Sequence, residues 1–158
     1  MEPSLQAVAF QAAVGLVIAA ATSWFTIRLS LSKFRKEQLW EKKALAYERV
    51  IDAIHKAKKF SSEHLDAQYS GRDLPDERDE ELRKLAKEAK DEISRAADIG
   101  GFILSTQALE IIREYERRSR DTKHIGSWHE ALEYDYEVTD HCLKSFIAEA
   151  KRDISEVT

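Results

Sequence analysis

SWHEALEYDYEVTDHCLKSFIAEAKRDI, residues Ser127–Ile154, decides the fold of this chain. Leu132, Tyr136, Thr139, Leu143, Phe146, Ile147, Ala150 and Ile154 recur at spacings of three and four. That period puts them on one face of a helix. Glu133, Glu137, Lys144, Lys151 and Arg152 fall mostly elsewhere. Ser127 followed by Glu130 has the capping-box spacing, in which the serine oxygen takes the N3 amide proton and the glutamate returns to the serine amide. A helix this long and one-sided has to bury its stripe against other helices.

Three such partners lie upstream. Between about Lys33 and Asp66 the residues Trp40, Ala44, Tyr47, Val50, Ile51, Ile54, Ala57 and Leu65 form a second stripe. Gln68–Asp76 holds Gly71 and Pro75 and reads as a loop, with Asp76 capping a helix whose apolar face is Leu82, Leu85, Ala86, Ala89, Ile93 and Ala97. Gly100 and Gly101 end it. Ser105 is the expected N-cap of a shorter helix carrying Ala108, Leu109, Ile112 and Tyr115. Its exit is the loop from Asp121 to Gly126. The expected class is all-α: an N-terminal transmembrane helix, then an antiparallel bundle of about four helices. No internal repeat or low-complexity tract interrupts it.

The transmembrane expectation rests on Leu5–Ile27, LQAVAFQAAVGLVIAAATSWFTI, which contains no Asp, Glu, Lys, Arg or His. As a helix its 23 residues rise roughly 34 Å, against about 30 Å of hydrocarbon. A cleaved signal would want a positive n-region, but Met1–Ser4 has no Lys or Arg and the apolar run continues past Ala19–Ala21. Arg28, Lys33, Arg35, Lys36, Lys42 and Lys43 follow it, so the positive-inside bias places the N-terminus outside and the rest in the cytoplasm, at the inner (plasma) membrane. Those six basic residues are the expected contacts to lipid headgroups. The chain then divides into 1–29, tail and membrane helix, and 30–158, basic segment and bundle. The basic helix 33–66 is free to continue the membrane helix through Ser30 and Ser32.

Charge narrows the partners. Residues 28–43 carry six basic and two acidic groups, and with Glu2 on the far side a total of −4 leaves about −7 for Ala44–Thr158. A bundle that acidic is a poor match for nucleic acid, whereas anionic lipid suits the basic segment. The single cysteine, Cys142, rules out an intrachain disulfide and fits a reducing compartment.

Motifs for chemistry are missing. Five histidines, at 55, 64, 124, 129 and 141, raise the question of metal, and Asp52 with His55 or Glu137 with His141 would share a helix face. However, no Glu-x-x-His occurs, and His129-Glu130 continues to Ala, Leu and Glu133 rather than to a second histidine. Glu130, Glu133, Asp135 and Glu137 are expected on a solvated helix face near its positive end. No catalytic residue, cofactor or metal ligand is assigned. Cys142 is expected as a buried small hydrophobe, and Trp40 and Trp128 as packing anchors.

FRKEQLWEKKALAYERVIDAIHKAKKF, AADIGGFILSTQALEIIREYER and the final helix, laid after a short N-out anchor, resemble a group of small bacterial single-pass membrane proteins with a cytosolic helical domain. The resemblance implies topology and architecture over nearly the whole chain. The layout is also similar to that of membrane effectors in anti-phage defence, which implies a sensing bundle and an acting membrane segment.

One pattern in the apolar run goes beyond anchoring. At 100° per residue Gln11, Ala12, Gly15, Ala19, Thr22, Ser23 and Thr26 gather on one side, and Phe10, Val17 and Trp24 on the other. Small-xxx-small spacing and a glutamine suit a helix partner, so a homo-oligomer through this segment is expected. The function expected is a non-enzymatic membrane protein whose bundle binds a cytosolic protein or ligand. A pore-type effector and a membrane-tethered enzyme using the 129–141 acidic segment are the alternatives.

Overall fold

A computed structural model describes the backbone of residues 5–121 and 125–155, and their side chains except at 5–21, 29, 31–33 and 35. The described residues are all-helical and contain no strand. Helix α1 covers Leu5–Tyr69, α2 Asp76–Ile99, α3 Thr106–Arg120 and α4 Trp128–Ser155, with a 3₁₀ turn at Gly100–Phe102 between α2 and α3. Two compact units divide the chain, Met1–Leu39 and Trp40–Thr158. The first is helical from Leu5 onward and has no break at Ser30 or Ser32.

The second unit is the helical bundle. Its core joins Tyr47, Val50, Ile54 and Ala57 of α1 to Ala89 and Ile93 of α2, Ala108 and Ile112 of α3, and Cys142 and Phe146 of α4. The Tyr47 and Phe146 rings meet at 5.4 Å between centroids. The stripes of α2 and α3 are buried much as read from sequence, whereas in α4 the buried seam runs through Leu132, Val138, Thr139, Cys142, Phe146 and Ala150 and leaves Tyr136, Leu143, Ile147 and Ile154 partly exposed. Trp40 is 44% exposed, because it precedes the part of α1 that the other helices cover. Thr139 is fully buried, as its place on the stripe implies, while Ser61, Glu149 and Asp153, which no stripe included, are also buried.

The helix ends show how local chemistry sets the layout. After Tyr69 the chain closes a Schellman turn, Arg72 N donating to Ala67 O at 2.9 Å and Gly71 N to Gln68 O at 3.0 Å. Gly71 sits at φ +61, the left-handed conformation that glycine supplies most cheaply. α2 departs from expectation: Pro75, not Asp76, is its N-cap residue, and no side chain caps it. Asp76 becomes the first helical residue, and with Glu77 and Asp79 it faces the positive end of the helix dipole. Ser105 does cap α3, its Oγ accepting from Ala108 N at 3.0 Å. Ser127 Oγ accepts from Glu130 N at 3.2 Å, but the returning Glu130 carboxylate takes the Gly126 N–H at 2.8 Å, one residue earlier than a capping box would have it.

Polar side-chain contacts tie α1 to its neighbours. Glu63 pairs with Arg78 at 2.6 Å and His64 Nε2 hydrogen-bonds with Asp79 at 2.8 Å on the α2 side, while Lys58 pairs with Asp140 at 2.7 Å on the α4 side. Among the described residues no helix is long and apolar enough to cross a membrane. Of the uncharged run only Thr22–Ile27 are described in their side chains.

Candidate functional sites: the N-terminal helix and the Tyr47–Asp153 network

Gln11, Ala12, Gly15 and Ala19 lie in helical backbone, and their side chains are outside the described residues. Thr22, Ser23 and Thr26 are exposed, and the Thr26 hydroxyl donates to the Thr22 carbonyl at 2.9 Å. A threonine in lipid satisfies its hydroxyl in this way, by bonding back to its own helix. Trp24, Phe25 and Ile27 are also exposed, at 57, 63 and 59%. Arg28 lies over the Trp24 ring, 5.1 Å from its centroid. A cation held on an aromatic face at the end of an apolar run is an arrangement suited to a membrane interface.

The basic segment divides. Lys36 and Lys42 are exposed, and the side chains of Lys33 and Arg35 are outside the described residues. Lys43 departs from the headgroup role: its ammonium is 2.7 Å from Asp153 Oδ1 and its side chain is only 16% exposed. An ammonium buried against a carboxylate is committed to the bundle.

Asp153 is the centre of a polar network that sequence reasoning missed. Its Oδ2 accepts the Tyr47 hydroxyl at 2.5 Å, and Tyr47 in turn accepts from Ser105 N at 3.3 Å. Ser105 Oγ donates to Glu149 Oε1 at 2.6 Å, and Arg152 reaches Glu149 Oε2 at 2.7 Å. The start of α3, the end of α4 and the middle of α1 are thereby joined through one polar network. Burial pulls the Asp153 pKa up, but the bonds from Lys43 and Tyr47 outweigh it and hold the carboxyl below its usual range. Burial, helped by the Asp153 bond, pushes Tyr47 up to about 12. Near neutral pH the phenol is therefore protonated and the carboxylate ionised. Neither is poised to exchange a proton, as a general acid or base would have to be.

A signal for this network exists in the sequence. Cys142, Phe146, Glu149 and Asp153 are spaced four, three and four apart, so the two carboxylates prolong the buried seam of α4. The neighbouring stripe through Leu143, Ile147 and Ile154 is more apolar and draws the eye, yet those three are only partly buried.

An open depression of about 330 Å³ beside this network is lined by Ser105, Thr106, Gln107, Glu110, Glu149 and Arg152. The histidines are dispersed. His64 bonds to Phe60 O and Asp79, His129 to Gln68 and Glu133, His55 and His141 are exposed, and His124 lies outside the described residues. Among the described residues no three His, Cys, Asp or Glu side chains are placed to hold a metal ion. The acidic run of α4 has separate tasks: Glu130 caps, Glu133 takes Tyr69 and His129, and Asp135 meets Lys90 at 3.3 Å. Cys142 is buried, and burial pushes its thiol up to about 12, so it is not a nucleophile near neutral pH.

No protein family model, curated protein or solved structure matches this chain.

Proposed function

We propose that this is a non-enzymatic single-pass protein of the bacterial inner membrane, held by Leu5–Ile27, with its helical bundle in the cytoplasm serving to bind a protein or ligand. The observation that carries the reading is the 23-residue run without a charged residue, bordered on its C-terminal side by Arg28, Lys33, Arg35 and Lys36. The continuous helix from Leu5 and the Arg28–Trp24 contact support it. Self-association follows from the small and polar side of that helix, Gln11, Ala12, Gly15, Ala19, Thr22, Ser23 and Thr26. For the bundle, fixed protonation at Tyr47 and Asp153 favours a structural network over a catalytic one.

Two measurements test this. The chain should stay with membranes after alkaline extraction, and release into the supernatant would end the anchor reading. Gly15→Leu should shift the cross-linked species in membranes toward monomer, and an unchanged distribution would refute the helix partner.

A second reading, a pore-type effector of a defence system, is favoured by the exposed hydroxyl-bearing residues Thr22, Ser23 and Thr26. Overexpression should then depolarise cells. A full membrane potential with abundant protein at the membrane would exclude it.

A further inference from the structure

The connection from α2 to α3 reads Ile99-Gly-Gly-Phe-Ile-Leu104, an apolar tip rather than a polar one. Phe102 is 95% exposed, Ile99 62% and Ile103 37%. The tip is tightly built. Ile103 N and Leu104 N both donate to Gly100 O, at 2.9 and 2.8 Å, and Leu104 is buried beneath the turn. A Cβ on Gly100 would stand 2.8 Å from Leu104 Cδ1 and 3.3 Å from Leu109 Cδ2. The close packing that draws Leu104 inward therefore holds Phe102 outward.

The bond from Ser105 N to the Tyr47 hydroxyl places this tip at the end of the bundle that carries Trp40, seven residues before Tyr47 and on nearly the same face of α1. Trp40 is itself half exposed. Tyr69 and Trp128 mark the opposite end, where α1 finishes and α4 begins.

We propose that Phe102, with Ile99 and Ile103, dips into the headgroup–acyl boundary of the bilayer, so that the α2–α3 tip is a second membrane contact of this chain. The inference rests on the anchor reading above. Three apolar side chains are too few for a stable protein interface, which buries about 800 Å² on each partner. A tethered lipid surface demands far less. Trp40 follows Arg28 by only 12 residues of sequence, so an anchored chain keeps the bilayer at high effective concentration near the bundle. The exposed Lys36 and Lys42 add attraction to anionic headgroups. Residues 99–104 carry no charged side chain, so this stretch with an aromatic between isoleucines enters lipid without burying one of its own.

The buried Cys142 allows a clean test on the full chain. Phe102→Cys, and Ser70→Cys at the opposite end as reference, would each be labelled with an environment-sensitive fluorophore after reconstitution into phosphatidylcholine vesicles containing a minority of phosphatidylglycerol. The probe at 102 should be quenched several-fold more than that at 70 by a quencher in the upper acyl chain, and should lose access to iodide. Iodide access at 102 equal to that at 70, in protein that resists alkaline extraction, would overturn the tip contact while leaving the anchor intact. Protection from both quenchers would overturn it in favour of a second copy covering the tip. Release of the chain by alkaline extraction would remove anchor and tip contact together.

Discussion

Replacing Asp153 by alanine should be among the costliest single changes in the bundle that create no large cavity. The substitution removes the acceptor for two donors at once, the Lys43 ammonium at 2.7 Å and the Tyr47 hydroxyl at 2.5 Å. Tyr47 is 1% exposed and cannot turn to water, although Ser105 N still donates to it. Lys43 is 16% exposed, and its long chain can carry the charge part of the way out. Leaving one partner of a buried pair unmatched costs about 3–5 kcal/mol, and the escape open to Lys43 argues for the lower end, about 3 kcal/mol. Tyr47→Phe gives up one hydrogen bond to a charged acceptor, about 1.5–3 kcal/mol. The double variant should cost about 1–2 kcal/mol less than the sum, because each change already removes the bond the other would break.

The assay is urea unfolding of the full chain in mild detergent, followed by circular dichroism, with the slope checked for constancy so that midpoints report stability. For a bundle of this size 3 kcal/mol corresponds to a fall in Tm of roughly 12 °C. Arg117→Ala supplies the reference, since its side chain is largely exposed and pairs with Glu114 on the same helix, and it should stay within about 0.5 kcal/mol of the parent. If Asp153→Ala falls within the same range, or if the double variant is additive, the network does not hold the helices together. The pH dependence has a determined sign. Asp153 is held below its unfolded value, so its stabilisation is present above about pH 4 and is lost as pH falls further, through the folded pKa. Asp153→Asn should flatten that acid limb.

At the alkaline end the sign reverses: Tyr47, Tyr115 and Cys142 are each pushed up to about 12, so their neutral forms stabilise the fold below their unfolded values of 10.0, 10.0 and 9.0, and that contribution is lost as pH rises toward 12; an unfolding titration with no transition in that window would contradict it. Among the described residues Thr139 Oγ1 and the Tyr115 hydroxyl are buried without a hydrogen bond of good geometry, although Thr139 and Ser119 lie close enough to Tyr115 to act on its titration, so Thr139→Val and Tyr115→Phe should leave stability unchanged or raise it by about 1 kcal/mol, and a loss of more than 1 kcal/mol in urea unfolding would mean that the hydroxyls are bonded in solution. Gly100→Ala should destabilise by about 1–2 kcal/mol because its Cβ meets Leu104 and Leu109, whereas Gly101→Ala, with its nearest contact at 3.8 Å, should be neutral or stabilising by about 0.4–1 kcal/mol; equal thermal midpoints for the two would refute the packing argument. The Cys142 thiol should resist maleimide labelling until denaturant is added, and rapid native labelling would show that the bundle opens at α4.

Apolar spacing made the bundle legible, and the reason is physical. Ala108, Leu109, Ile112 and Tyr115 are buried as read, because a 15-residue helix with one apolar stripe has a single favourable way to face its neighbours. The Ser105 cap was legible for a similar reason: its bond to Ala108 N is local and needs no tertiary knowledge. Charged residues mostly lie at the surface as read, Glu133, Glu137, Lys144, Lys151 and Arg152 among them, and the exception is the buried pair. Lys43 looked like one more member of a basic cluster, and Glu149 and Asp153 drew no reading at all. Burial of an ion pair depends on two segments more than a hundred residues apart meeting in register, and no periodicity within either segment encodes that meeting.

The same contrast bears on function. Lys43, Tyr47, Ser105, Glu149 and Asp153 are bonded to one another, so this polar cluster of the bundle is occupied with holding α1, α3 and α4 together. The residues left over are the ones that could serve a partner: exposed Phe102, Ile99 and Ile103 on the same bundle end, and exposed Trp24, Phe25 and Arg28 along α1. Apolar side chains in water have no local reason to be there, and in a chain carrying an uncharged 23-residue run a membrane supplies one reason for both sets.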